Sequence, residues 1–137
     1  NRDKTKVVDL LQPGSSVDFL GYTFRYDRSI KGGVRRYLNV IPSHKSMQAH
    51  RESLRKTINR RYHRVPVVHL IETVNRKQRG WANYFSFGYP RQAKRKMNWY
   101  VQCRLIGHLR RRSQRPFRLP EGRSYHQYFK QLGLVYL

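Results

Sequence analysis

Carboxylates and cysteine are scarce in this sequence. Its 137 residues include 7 Asp and Glu and a single cysteine, Cys103. One cysteine cannot form an internal disulfide or a zinc site made of cysteine pairs. Two-metal catalysis needs clustered carboxylates, and here the acids are scattered, with Asp9 and Asp18 on neighbouring predicted strands as the one pair that could meet. We therefore expect no catalytic residue, no metal site and no cofactor in this chain.

Long apolar runs are also missing. No stretch approaches the roughly 18 apolar residues that cross a bilayer, and the first ten residues lack the apolar core of a signal peptide. The mean hydropathy is −0.86, although 38% of the residues are hydrophobic, which is enough to build a core. We expect a soluble, intracellular protein.

Positive charge is what the sequence has in excess. Lys and Arg number 30, so the formal net charge is +23 at pH 7. The cations are spread along the whole chain and are interleaved with aromatics, as in segments 60–64 and 79–85. Cations that release counterions from phosphates and rings that stack on bases are typical of nucleic-acid binding. Nucleic acid is the leading partner. A chain that is charged only for solubility and an anionic membrane surface are the alternatives.

The first third of the chain has strand patterns. Residues 6–11, 17–26 and 34–41 are rich in β-formers and are separated by Gly, Pro and Ser turn signals, which predicts a small antiparallel sheet. Within segment 17–26, Leu20, Tyr22, Phe24 and Tyr26 would share one apolar face.

After Pro42 the apolar period becomes helical. Ser43 is a predicted N-cap for a helix that reaches about residue 62, and Pro66 starts a second helix that reaches about residue 85. A third helix is predicted over about 91–112, and a short one from Ser124 to Gly133. On the third helix, Trp99, Cys103 and Ile106 form a second apolar stripe opposite Ala93, Met97 and Tyr100, which predicts burial on two sides. The predicted fold class is α+β, mainly α, with a small antiparallel sheet followed by a three-helix bundle.

Two segments in this order resemble a known family. Residues 4–9 (KTKVVD) followed by Phe19-Leu20-Gly21-Tyr22-Thr23-Phe24 are similar to the end of the palm in group II intron reverse transcriptases. Residues 41–46 (IPSHKS) and then 79–85 (RGWANYF) are similar to the maturase-specific thumb, domain X, of the same family. The resemblance covers roughly residues 4–112.

The resemblance implies a division of the chain and a function. Residues 1–42 would be the end of the palm, 43–113 the thumb or domain X, and 114–137 a basic extension with a short helix. Such a segment binds intron RNA for splicing and grips the template-primer duplex, next to the upstream fingers and palm. The Tyr-x-Asp-Asp block that holds the polymerase Mg²⁺ ions is absent from this sequence, so we expect the chain not to polymerise alone. The expected location is the cytoplasm of a bacterium or an organelle.

The resemblance and the helical faces together assign candidate residues. Trp81 and Phe85 lie on the apolar stripe of the second helix, which favours core packing over base stacking. Gly80 indicates a tight helix crossing or a backbone near phosphate, and Gly21 a close approach of another backbone or a bend in the sheet. The palm edge beside the primer would comprise Phe19, Leu20, Gly21 and Tyr22, and the family signature Gly80, Trp81, Tyr84 and Phe85. The predicted RNA-binding cations are Lys45, Lys56, Arg60, Arg76, Arg79, Arg95 and Arg112.

A second function fits the same composition. A ribosomal-type structural protein that folds on ribosomal RNA would carry a similar excess of cations. Preference for intron RNA over ribosomal RNA would separate the two hypotheses.

Overall fold

The computed structural model describes residues 5–137 as a small antiparallel sheet followed by four α-helices. The strands are β1 (Ser16–Phe19), β2 (Tyr22–Arg28) and β3 (Arg36–Pro42), in the order β1-β2-β3. The helices are α1 (His44–Thr57), α2 (Val67–Tyr84), α3 (Arg91–Arg111) and α4 (Tyr125–Gln131), with a 3₁₀ turn at Arg60–Tyr62. The α+β fold, mainly helical, is confirmed.

The single strand predicted over 17–26 is wrong, because a hairpin turn divides it. Phe19 pairs with Tyr22, and between them Leu20 and Gly21 have positive φ values of 51° and 84°. Two central residues with positive φ match the twist of a two-residue hairpin, and glycine adopts that conformation without steric cost. Gly21 is therefore a turn residue, and Leu20 does not belong to the apolar face of β2.

The strand predicted over 6–11 is also wrong. Asp9 Oδ1 accepts a hydrogen bond from the Leu11 N–H (3.0 Å), and the Asp9 carbonyl accepts one from the Gln12 N–H (3.3 Å). Such local bonds replace a sheet ladder. Val7 and Leu11 are 94% and 68% exposed, so burial adds little to this segment. Lys4, which begins the first resembling segment, lies outside the described residues.

Serine caps begin α1 and α4, as predicted. The Ser43 hydroxyl accepts a hydrogen bond from the Ser46 N–H (3.1 Å). Ser124 and Gln127 form a reciprocal pair, in which each side chain accepts the other residue's N–H. Each cap satisfies backbone donors that the first helical turn leaves free.

The first helix is shorter than predicted. It ends at Thr57, and the Asn59 side chain accepts a hydrogen bond from the Arg61 N–H (3.0 Å), which starts the 3₁₀ turn. Asparagine competes with the helix in this way because its short side chain reaches nearby backbone donors. The consequence is a connection of basic residues that crosses one end of the helical bundle.

The core lies where the apolar stripes of α1, α2 and α3 meet, and α4 closes it. Trp81 and Phe85 are 8% and 5% exposed, so both rings pack in this core. Within residues 5–137, no helix is both long enough and apolar enough to cross a bilayer. Other core residues include Met47, Leu54, Ile58, Val67, Ile71, Val74, Met97, Val101, Leu105 and Phe129.

Burial of α3 on two sides is contradicted. Ala93, Met97, Val101 and Leu105 are buried, but Trp99 is 68% exposed and Cys103 is exposed as well. Helix α3 packs on α1 and α4. No described element covers the face that carries Trp99 and Cys103, which borders a groove, whereas Ile106, the third residue of the predicted stripe, is half-buried and packs against the core.

Two asparagines fasten the C-terminal segment to the helices. Asn75 on α2 donates to the Gly133 carbonyl (2.8 Å) and accepts from the Val135 N–H (2.9 Å). Asn98 on α3 bonds both backbone groups of Leu137 in the same manner (3.0 and 2.9 Å). Segment 133–137 is therefore held against α2 and α3 by hydrogen bonds from two side chains to its backbone.

Candidate nucleic-acid interface

The hairpin turn of the sheet docks onto the ends of two helices. Gly21 presents its carbonyl to the Ser43 N–H and the Ser46 hydroxyl, both at 2.8 Å. A Cβ at Gly21 would lie 3.0 Å from Ser46 Oγ, so the approach is close. Of the predicted palm-edge residues, Gly21 therefore joins the sheet to the N-terminus of α1. Contact with a primer stays a prediction.

Two tyrosines add hydrogen bonds between the hairpin turn and the end of α2. The Tyr22 hydroxyl donates to the Tyr84 carbonyl, and the Tyr84 hydroxyl donates to the Leu20 carbonyl, both at 2.6 Å. Tyr22 also meets Phe85 edge-on, with ring centroids 5.0 Å apart. These contacts hold Leu20 in a left-handed conformation that costs a non-glycine residue about 1–2 kcal/mol. They fix the orientation of the sheet on the bundle.

Gly80 does not mark a close helix crossing. A Cβ built on it would meet no atom within 4 Å, leaving out its own helix backbone and chain neighbours. The prediction of a tight crossing is therefore wrong. The other interpretation, a backbone near phosphate, stays a prediction and agrees with the exposure of this residue.

A groove runs between α1 and α3 and consists of two cavities that share Cys103. We call it the α1–α3 groove. The cationic cavity, about 920 Å³, lies between the end of α1, the connection to α2 and the second half of α3; the tryptophan cavity, about 720 Å³, lies beside the first half of α3. Eight Lys and Arg side chains line the two cavities, and among the described lining residues only Glu52 is acidic. The eight are Arg51, Arg55, Lys56, Arg60, Arg95, Lys96, Arg104 and Arg111.

The single carboxylate of the groove is already paired. Glu52 accepts two hydrogen bonds from the Arg55 guanidinium (2.8 and 3.0 Å), and these bonds lower the pKa of Glu52. Lys56, Arg60 and Arg111 are exposed and make no ion pair with any described residue. The cationic cavity therefore presents unneutralised charge to solvent, which favours an anionic ligand.

Two arginines in or beside the cationic cavity donate hydrogen bonds to backbone carbonyls. Arg104 donates to the Ile58 carbonyl (3.1 Å), and Arg112 Nε donates to the His63 carbonyl (2.8 Å). Both bonds tie the connection after α1 to the end of α3. Arg112, a predicted phosphate contact, is thus half-buried and engaged with backbone.

Two histidines meet in the same cavity. The rings of His63 and His108 lie 4.9 Å apart in a T-shaped arrangement. Burial lowers the pKa of His108 to about 4, and the nearby His63, Arg112 and Arg104 act in the same direction. His108 is therefore uncharged at neutral pH, and its Nε2 has no hydrogen-bond partner among the described residues. His108 therefore adds no positive charge to the cavity at neutral pH.

The predicted RNA-binding cations fall in different places. Lys56 and Arg60 line the cationic cavity, and Arg95 lines the tryptophan cavity. Lys45, in the first turn of α1, and Arg76 and Arg79, on α2, are exposed but do not line the groove. The structure thus brings three of the seven together along one surface.

Five lining cations were not predicted from the sequence. Two of the five, Lys96 and Arg111, belong to a helical spacing on α3, where Lys96, Trp99, Cys103, Gly107 and Arg111 recur every three or four residues. A stripe that mixes cations with apolar residues is typical of a surface groove rather than of a core. The unpredicted cations are Arg51, Arg55, Lys96, Arg104 and Arg111.

A metal does not fit the described residues. Within residues 5–137, no group of three or more His, Cys, Asp or Glu side chains lies close enough to hold an ion. Asp9 bonds the Leu11 backbone, and Asp18 accepts a hydrogen bond from the Thr23 hydroxyl (2.5 Å). Each of these carboxylates has its own local partner.

Comparison with known proteins gives one family. Residues 47–130 match a family model described as the group II intron, maturase-specific domain. The matched segment runs from α1 to α4 and contains every residue that lines the α1–α3 groove. The comparison with curated proteins gives no match.

Proposed function

The chain belongs to the family of group II intron maturase-specific domains, and on this premise we propose that it binds group II intron RNA along the α1–α3 groove. Binding there would hold the intron in the folded form that splices. The groove lies in the part of the chain that the family model matches.

The charge of the groove carries this proposal. Eight Lys and Arg side chains line the groove, whereas its one described carboxylate, Glu52, is already paired. Lys56, Arg60 and Arg111 have no ion-pair partner among the described residues. RNA phosphates would supply the missing counter-charge and release their own counterions, which is the main source of affinity in such interfaces.

Shape would supply the specificity. The deep, narrow major groove of an A-form helix does not admit side chains, so proteins read RNA through phosphates, 2′-hydroxyls and unpaired loops. A rigid groove built on two packed helices holds its cations at fixed spacings, which favours one RNA backbone path over others.

We also propose that the same groove grips the template-primer duplex when the chain is joined to upstream fingers and palm. The polymerase Mg²⁺ ions would then be held by carboxylates of that upstream part, as the resemblance to reverse transcriptases implies. In this arrangement the chain supplies grip and orientation, and the upstream part supplies the chemistry.

Salt dependence tests the binding proposal. The affinity of the chain for a group II intron RNA should fall by several log units per log unit of salt, because each neutralised phosphate adds about 0.7 to 0.9 to the slope. Fluorescence anisotropy of labelled RNA at several salt concentrations measures this slope.

A ribosomal RNA fragment of equal length is the control. We expect tighter binding of the intron RNA at every salt concentration. A slope near zero, or equal affinity for both RNAs, would contradict the proposal.

A further inference from the structure

Trp99 is the most exposed of the large aromatic side chains in the groove. It is 68% exposed, whereas Trp81 is 8% exposed in the core. Exposing an indole to water costs free energy that burial would recover, and no described element covers it. Its place at the entrance of a cationic groove indicates that a ligand covers the ring when bound.

The surroundings of Trp99 identify that occupant. Arg51, Arg95 and Lys96 line the same cavity, and the lining contains no carboxylate among the described residues. Cores of protein–protein contacts are enriched in aromatic residues and arginine but depleted of lysine, and Lys96 is part of this lining. Grooves for single-stranded nucleic acid instead combine cations along the backbone with aromatic rings on which bases stack.

Two contacts between Arg51 and Tyr100 hold these lining residues of the tryptophan cavity in place. The Tyr100 hydroxyl donates to the Arg51 carbonyl (3.3 Å), and the Arg51 guanidinium lies over the Tyr100 ring, 5.9 Å from its centroid. Arg51 is thereby held beside the cavity. Cys103 joins this cavity to the cationic one, so a strand bound at Lys56 and Arg60 continues toward Trp99.

We propose that Trp99 is a stacking platform for an unpaired RNA base, with Arg95, Lys96 and Arg51 holding the adjacent phosphates. Only unpaired bases expose their faces, so the ligand is a loop, bulge or single-stranded end of an RNA. This inference rests on the proposed function, since it places one nucleotide of the bound RNA at one end of the α1–α3 groove.

A twelve-nucleotide oligoadenylate and an abasic oligonucleotide of the same length separate stacking from charge. Stacking on an aromatic side chain contributes about 1–3 kcal/mol per base, or about 5- to 150-fold in affinity. We expect the oligoadenylate to quench the Trp99 emission and to bind tighter by a factor in that range. The abasic strand should bind with the same salt slope and no quenching.

Two variants of Trp99 form a matched pair. Trp99→Leu keeps apolar bulk but removes the ring, and it should bind oligoadenylate no better than the wild type binds the abasic strand. Trp99→Phe keeps a ring and should retain most of the affinity. Because the side chain is exposed, both variants should fold, and the emission of the buried Trp81 reports this.

Different results overturn the two proposals. If RNA binding stays strong and salt-dependent while Trp99→Leu and the abasic strand change nothing, stacking on Trp99 is wrong and the RNA is held by charge alone. If neither the two oligonucleotides nor the intron RNA binds at low salt, the proposed function itself is wrong.

Discussion

Replacing Lys56, Arg60 and Arg111 together with glutamine is expected to weaken binding of intron RNA about 100-fold or more at 0.1 M salt. These side chains are exposed, line the cationic cavity and have no ion-pair partner among the described residues. A cation that neutralises one phosphate contributes about five- to eight-fold at this salt concentration. The salt slope should become shallower by about 2 to 3, and anisotropy titrations measure both quantities.

A variant with the same loss of charge outside the groove is the control. Lys31 and Arg35, in the turn between β2 and β3, and Lys130 on α4 are exposed and do not line either cavity of the groove. Their replacement by glutamine should weaken binding by less than about five-fold, since charges beyond a Debye length of about 10 Å are screened at 0.1 M salt. A loss in this control as large as in the groove variant would place the RNA on another surface.

Replacing Gly88 with alanine is expected to destabilise the protein by about 2 to 5 kcal/mol. Gly88 has a φ of 77°, and an added Cβ would overlap the Val40 carbonyl on β3. The next residue, Tyr89, donates its N–H to the same carbonyl (2.8 Å), so the loop cannot move away without losing that bond. Left-handed backbone costs about 1–2 kcal/mol and overpacking about 1–3 kcal/mol. Urea denaturation measures the change.

Gly80→Ala is the matched control, with the opposite sign. Gly80 lies inside α2 with open space where a Cβ would be, so alanine should stabilise the helix by about 1 kcal/mol. If RNA approaches the backbone at Gly80, this more stable variant will also bind RNA less tightly. Equal stability of the two variants would contradict this account of how the sheet is joined to the bundle.

The helical part of the fold was predictable because its signals are local. Ser43 and Ser124 cap their helices, and Pro66 precedes α2, because each satisfies or removes donors of a first turn. The stripe that carries Trp81 and Phe85 predicted a buried face by its 3.6-residue period. These features depend on neighbours a few residues away.

The sheet and the groove were harder to predict because they depend on distant contacts. The turn at Leu20 and Gly21 is stabilised by Ser46 and Tyr84, which are far away in sequence. The stripe of Trp99 and Cys103 has the period of a core face, and only the packing of α3 against α1 and α4 shows that it borders the groove. Periodicity finds a face but does not show what covers it.

Chemical modification of Cys103 tests the groove most directly. This thiol is the only cysteine of the sequence, is exposed and lies where the two cavities meet. Saturating intron RNA should reduce its rate of reaction with a maleimide to a small fraction of the rate in the free protein. At the same RNA concentration, the variant of Lys56, Arg60 and Arg111 should react nearly as fast as the free protein. An unchanged rate in wild-type protein that anisotropy shows to be fully bound would contradict the account.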